Sequence, residues 1–569
     1  MRLAKNYKAM GAMVLLGAAM LSCSSLNNSS TTTKDDAWVY EGIEFDMPKV
    51  KEPTIPNNSI NIADIGGVAD GKTLNTEVFA KAIDELSAKG GGKVIVPAGI
   101  WLTGPIQMKS NIELHVEDGA LVRFSGDFDL YPLISTSFEG LETYRSMSPI
   151  HAHGLENIAF TGNGTFDGSG DAWRPVKKGK MTASQWKNLL SSGGVVNKKG
   201  DIWYPTENSM LGDSRDNFNV PNFTTREEFE QVKDFLRPVM VSIVNSQRIL
   251  IDGPTFQNSP AWNIHPLMCE DVTIRNLTVR NPWYSQNGDG LDLESCKNAV
   301  IYNNSFDVGD DAICFKSGKD ADGRKRNIPT ENVIVKNNVV YHGHGGFVVG
   351  SEMSGGVRNV HISSCTFMGT DIGLRFKSTR GRGGVVENIY ISNINMIDIP
   401  AEPIRFNLFY GGKAPVLDDG GNSLSTDGDA KAMPVTEETP SFRNIYMKNI
   451  VANGLDKAAF FMGLPEMKVE NIRLENAILR APKGITLVDT KGIEFVNVRV
   501  EAEKGPAITI YNSAEITLDG FEYQDNNTPI VLIGGDQTSD IKVKKSDFSE
   551  IKSQIKLAEG LDPATLSVE

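Results

Sequence analysis

The sequence predicts an all-β fold in which short strands stack as successive coils of a parallel β-helix. A pattern of about nine residues, alternating polar and apolar between Asn, Asp or Gly corners, recurs along the chain. Clear copies begin at Arg248, Asp271, Asn298, Asn332, Asn359, Asn388, Asn444 and Asn471. Most successive copies start 21 to 34 residues apart, a period typical of stacked repeats. Because no helical pattern separates the copies, we expect each coil to pair directly with the next.

A helix is predicted before the first coils. Asn75 is the expected N-cap, and residues 90–92, all glycine, are the expected end. The helix carries its apolar side chains on one side: Val78, Phe79, Ala82, Ile83 and Leu86. An uncovered first coil would expose an apolar end, so we expect this helix to be an N-terminal capping helix.

Composition and charge narrow the classes of function. The 569 residues include 55 Gly and are 40% hydrophobic, which suits a turn-rich all-β protein. The formal net charge is −14, and the chain lacks a basic surface interleaved with aromatic residues, so nucleic acid is not an expected partner. We expect a monomer without a metal or other cofactor. Cys269, Cys296, Cys314 and Cys365 lie in or near the repeat strands and are expected to be free core thiols.

The N-terminus reads as an export signal. Residues 1–22 contain Arg2, Lys5 and Lys8, followed by an apolar core that is too short to span a bilayer comfortably. Cys23 comes next and resembles the processed cysteine of a bacterial lipoprotein, although ordinary signal cleavage is the alternative. We expect a lipid on Cys23 and a location in the bacterial cell envelope, with the periplasmic side favoured over the cell surface.

The remaining chain divides into a tether and one catalytic domain. Residues 23–58 begin with a polar, low-complexity stretch and form the expected tether, and residues 59–560 form the expected β-helix. Two inserts, 167–236 and 401–441, interrupt the repeat and are expected to be loops beside a groove. The first holds Trp173 and Trp203, whose rings could stack on sugars or could simply pack on the solenoid.

Four short clusters carry the chemistry. They are Asn287-Gly288-Asp289-Gly290, Gly309-Asp310-Asp311, Gly343-His344-Gly345 and Arg375-Phe376-Lys377. Each cluster lies about one repeat after the one before it. Stacked coils would therefore align the clusters along one groove, with neighbouring coils roughly 4.8 Å apart. Three neighbouring carboxylates repel one another, which should raise at least one pKa and supply a general acid.

The ordered clusters resemble the motifs of the polygalacturonase family of glycoside hydrolases. SPAWNIHP from Ser259 and HGGFVVGSE from His344 resemble the family's bacterial exo-acting members. Gly288 and Phe376 depart from the usual Thr and Ile, but neither change removes an ionisable group. The resemblance implies a right-handed, single-stranded parallel β-helix. It also implies hydrolysis of α-1,4-galacturonosyl linkages in pectin, either in the polysaccharide or in oligogalacturonides.

The resemblance assigns a role to each residue. Asp310 would be the general acid, and Asp289 and Asp311 would hold the attacking water. His344 would hydrogen-bond Asp310 and tune its protonation. The family inverts the anomeric configuration, which is expected to place the carboxyl groups roughly 6.5–9.5 Å apart.

Substrate binding is expected from three further residues: Arg375, Lys377 and Asn287. Arg375 and Lys377 alternate on one strand, so they should share a face while Phe376 points into the core. In an acidic protein such cations suit the carboxylate of galacturonic acid, although a salt bridge to the nearby aspartates is equally expected in the empty enzyme. The rival functions are a rhamnogalacturonan-type hydrolase, a calcium-dependent pectate lyase and a non-enzymatic adhesin.

Overall fold

A computed structural model describes residues 36–412, 415–417, 423, 431–524, 529–545 and 554–569. Residues 39–569 form one compact unit. The predicted signal segment 1–22 and Cys23 lie outside the described residues, so export and lipidation stay predictions. Within the described ranges, no helix is both long and apolar enough to cross a membrane.

Strands dominate the chain. Those before the first insert are β1 (Ser59–Asn61), β2 (Asp70–Leu74), β3 (Gly92–Val96), β4 (Gly99–Thr103), β5 (Ile106–Gln107), β6 (Ile112–Val116), β7 (Ala120–Phe124), β8 (Leu133–Phe138), β9 (Leu141–Ser146), β10 (Ile150–His153), β11 (Glu156–Gly162) and β12 (Thr165–Asp167). The insert holds β13 (Val176–Lys177), β14 (Val195–Val196) and β15 (Ile202–Tyr204). The helices are α1 (Thr76–Ala88), α2 (Ala183–Ser191), α3 (Glu207–Asp213), α4 (Arg226–Glu230) and α5 (Asp320–Arg326).

The strands after the insert build the rest of the solenoid. The first group is β16 (Val241–Val244), β17 (Gln247–Asp252), β18 (Thr255–Gln257), β19 (Ile264–Leu267), β20 (Glu270–Arg275), β21 (Thr278–Arg280), β22 (Leu291–Glu294), β23 (Lys297–Tyr302), β24 (Ser305–Asp307), β25 (Asp311–Lys316), β26 (Thr330–Lys336), β27 (Val339–Val349), β28 (Val357–Ser363), β29 (Thr366–Met368) and β30 (Thr370–Lys377). The second group is β31 (Val385–Ile399), β32 (Ile404–Asn407), β33 (Ser441–Gly454), β34 (Lys457–Met462), β35 (Val469–Val488), β36 (Thr490–Tyr511), β37 (Ala514–Asp519), β38 (Glu522–Tyr523), β39 (Val531–Gly534), β40 (Ser539–Lys544), β41 (Ile555–Leu557) and β42 (Leu566–Val568).

Each coil pairs in parallel with the coil before it and the coil after it. β17, β20, β23, β26, β28, β31, β33 and β35 form one such stack, each strand starting a copy of the repeat. Apolar residues of successive copies are in register, as in Ile249–Val272–Ala299. These residues are fully buried in one continuous core. The predicted all-β fold and the parallel stacking of its coils are therefore confirmed.

The first residue of each repeat copy adopts left-handed backbone torsions. Asn298, Asn332 and Asn359 have φ values of 58°, 58° and 55°, a region that Asn tolerates better than most side chains. Their amides also form a ladder, since Asn332 Nδ2 donates to Asn298 Oδ1 at 3.1 Å and Asn359 Nδ2 donates to Asn332 Oδ1 at 3.1 Å. The recurring Asn thus serves both the corner's backbone and the stacking of coils.

The helix before the first coils is present, but the predicted cap interaction at its start is wrong. Asn75 stands at the N-cap position without a side-chain hydrogen bond to the helix. Its amide instead donates to the carbonyls of Val68, Thr73 and Leu102, which ties the preceding loop to β4. The apolar side of α1 is buried in the main core through Phe79, Ala82, Ile83 and Leu86.

The two inserts differ from the prediction in different ways. The first is built from α2, α3 and α4 together with a small antiparallel sheet of β13, β15 and β14. The second was predicted as a loop over 401–441, but β32 within it pairs in parallel with β30 and β34. Its first part is therefore another coil of the solenoid. The four described core cysteines are free and buried, as predicted.

Candidate active site

The predicted side chains come from four successive strands, β22, β25, β27 and β30, or from the residues directly before them. These strands form one parallel stack. Ile372 is the residue of β30 in register with Asp311, and Arg375 and Lys377 lie three and five residues beyond it. The backbone N–H of Gly290 donates to the carbonyl of Asp311 at 2.9 Å, and that of His344 donates to the carbonyl of Asp310 at 2.9 Å. Neighbouring coils therefore bring the four clusters together, as their spacing predicts.

Three carboxyl groups form the centre of the cluster. Asp289, Asp310 and Asp311 each offer one oxygen, and these oxygens all lie within 4.8 Å of one another. Asp289 and Asp311 are buried, whereas the side chain of Asp310 is 23% exposed. Of the three, Asp310 is thus the carboxyl that a substrate in the groove can reach most directly.

The predicted rise in a carboxyl pKa is found at Asp289. Its burial raises the pKa well above the ordinary value, and the nearby carboxyls of Asp292 and Asp310 raise it further. One of its oxygens, Oδ1, has no hydrogen-bond partner among the described residues. The resemblance assigns the acid role to Asp310, so burial and repulsion act most strongly on a different aspartate from the one predicted to be the acid.

Asp311 carries the two predicted cations. Nζ of Lys377 lies 2.7 Å from Oδ2, and Nη1 of Arg375 lies 3.1 Å from Oδ1. Burial would raise the pKa of Asp311, but Lys377, Arg375 and Lys316 hold it far below its usual range. A Cβ added to Gly345 would lie 3.3 Å from Oδ1 of Asp311, so the glycine also leaves room for this contact. Asp311 is therefore ionised throughout the physiological pH range.

His344 contacts the accessible carboxyl. Its Nδ1 lies 3.1 Å from Oδ1 of Asp310, and its Nε2 lies 3.7 Å from Oδ2 of Asp371, a residue that the sequence did not single out. The hydrogen bond with Asp310 raises the pKa of His344, although its partial burial acts in the opposite direction. The predicted pairing of His344 with Asp310 is thus present.

A charged layer lies beneath the cluster and escaped the sequence analysis. The side chain of Lys316 is buried. Its Nζ lies 3.4 Å from Oδ1 of Asp292, 3.2 Å from Oε2 of Glu352 and 4.7 Å from the centroid of the Trp262 ring. Burial raises the pKa of Asp292 to about 8, because Lys316 offsets only part of the desolvation. A sequence signal for these charges was present. Asp292 comes three residues after Asp289, and Lys316 comes six residues after Asp310.

Asn287 is held by the residue that directly follows the first insert. Its Oδ1 accepts a hydrogen bond of 2.9 Å from Nη2 of Arg237, whose Nη1 donates to the carbonyls of Pro260 and Gln286. Burial lowers the pKa of Arg237 to about 10. Arg237 therefore joins the insert to the first motif, while the substrate-binding role of Asn287 stays a prediction.

The tryptophans proposed as stacking surfaces are not available. Trp173 is fully buried against Phe128 and Tyr131, and Trp203 is 7% exposed in the core of the insert. The exposed ring is that of Trp283, at 57%, with Nζ of Lys180 from the insert 4.9 Å from its centroid. Tyr410 provides a second aromatic contact, 4.9 Å from Nζ of Lys377.

The spacing of the carboxyl oxygens bears on the expected inversion. Inverting glycosidases usually separate their carboxyl groups by roughly 6.5–9.5 Å, which leaves room for the attacking water. Here the nearest oxygens lie within 4.8 Å, because all three aspartates project from the same edge of two adjacent coils. The separation alone therefore does not support inversion.

Comparison with known proteins shows the relationships of the chain. The model of Glycosyl hydrolases family 28 matches residues 177–422. A probable polygalacturonase of Vitis vinifera is 28% identical over 455 residues, which covers 77% of this chain and 78% of the relative. An exo-poly-alpha-D-galacturonosidase of Dickeya chrysanthemi is 28% identical over 392 residues, covering 68% of this chain and 62% of the relative.

A solved structure extends the likeness over most of the solenoid. The hyperthermoactive exopolygalacturonase of Thermotoga maritima is 34% identical, with a TM-score of 0.63, and the match covers 79% of this chain and 93% of that one. The polygalacturonase of Erwinia carotovora ssp. carotovora, 19% identical with a TM-score of 0.51, shares the fold. The chain therefore belongs to glycosyl hydrolases family 28, the relationship predicted from its four motifs, and is a glycoside hydrolase.

Proposed function

We propose that the protein hydrolyses α-1,4-galacturonosyl linkages of pectin and releases sugars from a chain end. The observation that carries this proposal is that one cluster contains two kinds of contact. Asp310 pairs with His344, and the neighbouring Asp311 pairs with Arg375 and Lys377. The first contact suits a general acid. The second supplies cations for a substrate with a carboxylate on every ring.

In the proposed reaction Asp310 donates its proton to the glycosidic oxygen as the bond from that oxygen to the anomeric carbon breaks. Water attacks the same carbon and loses its proton to Asp289. In its ionised form Asp289 is the better acceptor, since its pKa is raised whereas that of Asp311 is strongly lowered. Asp311, ionised by its two cations, accepts a hydrogen bond from the water and orients it.

We also propose inversion, which the family resemblance supports. An α-linked substrate would then release the β-anomer first. Proton NMR of the product during the first minutes separates the two outcomes, because anomers interconvert slowly on that scale. An initial excess of the α-anomer would overturn inversion and agree with the short spacing of the carboxyl groups.

Exo action is proposed for two reasons. Arg237, directly after the 167–236 insert, bonds Asn287 of the first motif, and the insert itself places Lys180 on the exposed Trp283. Two of the similar proteins named above are called exo-acting, which supports the same proposal. Viscosity of a pectate solution should fall slowly while reducing ends accumulate from the start. A rapid fall in viscosity with a ladder of intermediate oligomers would show endo action.

Export and lipid anchoring at Cys23 are proposed from the N-terminal sequence. The wild-type protein should fractionate with membranes, and Cys23→Ser should move it to the soluble fraction. An unchanged distribution would contradict the anchor.

We propose further that the solenoid is right-handed and that α1 is its cap, since the apolar side of α1 joins the main core. On that basis Leu86→Asp should lower the unfolding temperature strongly, whereas the exposed Lys81→Asp should not.

A further inference from the structure

The cations of the active site continue into the coils that follow it. Arg405 is in register with Arg375 on the neighbouring strand, and Phe460 follows Arg405 on the next. Beside this row, Lys457, Lys483 and Lys504 are in register on three successive strands. Because strands stack at about 4.8 Å, a chain lying along the solenoid would meet one positive charge in each coil.

Arg405 keeps part of its guanidinium available. Its Nη2 lies 3.1 Å from Oε1 of Glu402, and its side chain is 31% exposed. The guanidinium faces the ring of Phe460 at 5.6 Å, and its Nε has no hydrogen-bond partner among the described residues. Glu402 is almost fully buried, so it holds Arg405 from the protein side and leaves the exposed part of the guanidinium to a ligand.

Within the described ranges, Lys457 has no carboxylate in direct contact with its ammonium group. Its Nζ lies over the ring of Phe460 at 4.8 Å, and no carboxylate of the described residues lies within 4.0 Å of it. Burial lowers the pKa of Lys457; the charges of Glu402 and Asp456 oppose this shift in part, and the charge of Lys483 adds to it. An anion placed between these two lysines would relieve their repulsion.

The next two lysines are accessible. Lys483 is 60% exposed, and its Nζ lies 3.1 Å from Asp456. Lys504 is exposed, with the exposed carboxylate of Glu503 beside it in sequence. Three acidic groups, Glu402, Asp456 and Glu503, lie beside four cations, Arg405, Lys457, Lys483 and Lys504, although the whole chain carries a formal charge of −14. A local excess of cations on an acidic protein indicates an anionic ligand.

We propose that Arg405, Lys457, Lys483 and Lys504, here called the cation track, bind successive carboxylates of an acidic oligosaccharide. The bound part of the ligand lies on the side of Arg375 that faces the C-terminal coils, beyond the bond that is cleaved. This inference rests on the proposed function and adds a preference for long, unesterified chains. It also makes that preference dependent on ionic strength, since exposed charge pairs are screened by salt.

The test compares digalacturonate with hexagalacturonate. For the wild-type enzyme, kcat/KM should be higher on the hexamer, and the difference should shrink in about 0.5 M salt. In the triple variant Lys457→Gln/Lys483→Gln/Lys504→Gln, the hexamer-to-dimer ratio of kcat/KM should fall about ten-fold, as expected for the loss of one half-buried and two exposed ion pairs with the ligand. Lys504→Gln alone, at an exposed position, should lower the ratio by a smaller amount and guards against misfolding of the triple variant.

The matched control is Lys491→Gln/Lys542→Gln/Lys544→Gln, which removes the same charge from positions of the C-terminal coils outside the cation track. It should keep the wild-type ratio. An unchanged ratio in the cation-track variants, or an equal fall in the control, overturns the cation track while leaving the proposed function intact. A wild-type enzyme that cleaves neither galacturonide overturns the proposed function itself.

Discussion

Asp289 and Asp311 lie one coil apart and are both buried, yet their pKa values move in opposite directions. Burial alone raises the pKa of a carboxyl, because the charged form loses its hydration. The pKa of Asp289 follows that rule, and the neighbouring carboxyls of Asp292 and Asp310 raise it further. Asp311 departs from the rule because Lys377 and Arg375 contact its two oxygens.

The contrast shows that neighbouring charges decide the state of each aspartate, even where burial is similar. Asp311 is a permanent anion and a poor proton acceptor. Asp289 keeps its proton to a higher pH than an ordinary aspartate and is the stronger base once it is ionised. Two residues of one type, at the same edge of adjacent coils, therefore provide different chemistry.

The largest expected effect comes from the carboxyl between these two. Asp310→Asn should lower kcat by about 10²–10⁴, the usual contribution of a general acid, with an unchanged circular dichroism spectrum. Asp307→Asn is the matched control, since Asp307 also pairs with a histidine, His342 at 2.9 Å, but outside the cluster. Near wild-type activity in a folded Asp310→Asn protein would remove Asp310 from its proposed role.

Removing a cation from Asp311 tests the contrast directly. Lys377→Ala should raise KM for oligogalacturonides by about ten- to a hundred-fold, as a lost charged hydrogen bond does. Since Lys377 lowers the pKa of Asp311, the acidic limb of the pH profile should also move to higher pH. Lys377→Arg should retain most of both properties. If methyl-esterified and free oligogalacturonides lose activity equally, Lys377 does not recognise the substrate carboxylate.

His344 should set the alkaline limb of the pH profile. Its pKa is raised by Asp310, so the protonated form is present below that raised pKa and is lost as the pH rises through it. His344→Gln should abolish this limb and lower kcat about ten-fold or more, whereas His342→Gln should leave the limb in place. An alkaline limb that persists unchanged in His344→Gln would belong to another group.

Asp489 supplies a case in which burial prevails. Both of its carboxylate oxygens lack hydrogen-bond partners among the described residues, and burial raises its pKa to about 7 despite Lys468. Between its unfolded and folded pKa values the folded state retains a proton that the unfolded state has released, so this group's stabilisation falls as the pH rises. Asp489→Asn should therefore raise the unfolding temperature by about 2 °C at pH 8 relative to wild type, with little change near pH 4. An equal change at both pH values would assign the effect to packing.

The smallest expected effect is that of a chelator. The oxygens of Asp289, Asp310 and Asp311 are close enough to hold a cation, but Lys377 and Arg375 already balance Asp311. Activity measured with and without EDTA should agree within about two-fold. Loss of activity that Ca²⁺ restores would show a metal-dependent reaction and favour the lyase alternative.

The stripe of catalytic residues could be predicted from sequence because the repeat converts spacing into position. Asp310 and His344 stand at the same place in successive copies, and parallel pairing then puts them in adjacent coils. Asp292 and Lys316 are visible in the sequence as charged residues of neighbouring repeat strands, but their contact could not be anticipated in the same way. Predicting that contact requires knowing which outward side chains remain accessible and which are covered, as Lys316 is by Trp262.

The inserts show where the pattern stops being informative. Aromatic residues in a polar segment fit both a sugar platform and a small core, and Trp173 proved to be core because Phe128 and Tyr131 enclose it. Asn75 has the right identity for a cap, but three carbonyls of the preceding loop and β4 compete for its amide. Such contacts depend on tertiary neighbours that no repeat encodes.

The most direct test of the proposed hydrolysis is mass spectrometry of products formed from oligogalacturonate in water enriched in oxygen-18. Hydrolysis at the cluster of Asp289, Asp310 and Asp311 predicts saturated products with one heavy oxygen at each new reducing end. Unsaturated, ultraviolet-absorbing products without the label would contradict hydrolysis and show elimination instead.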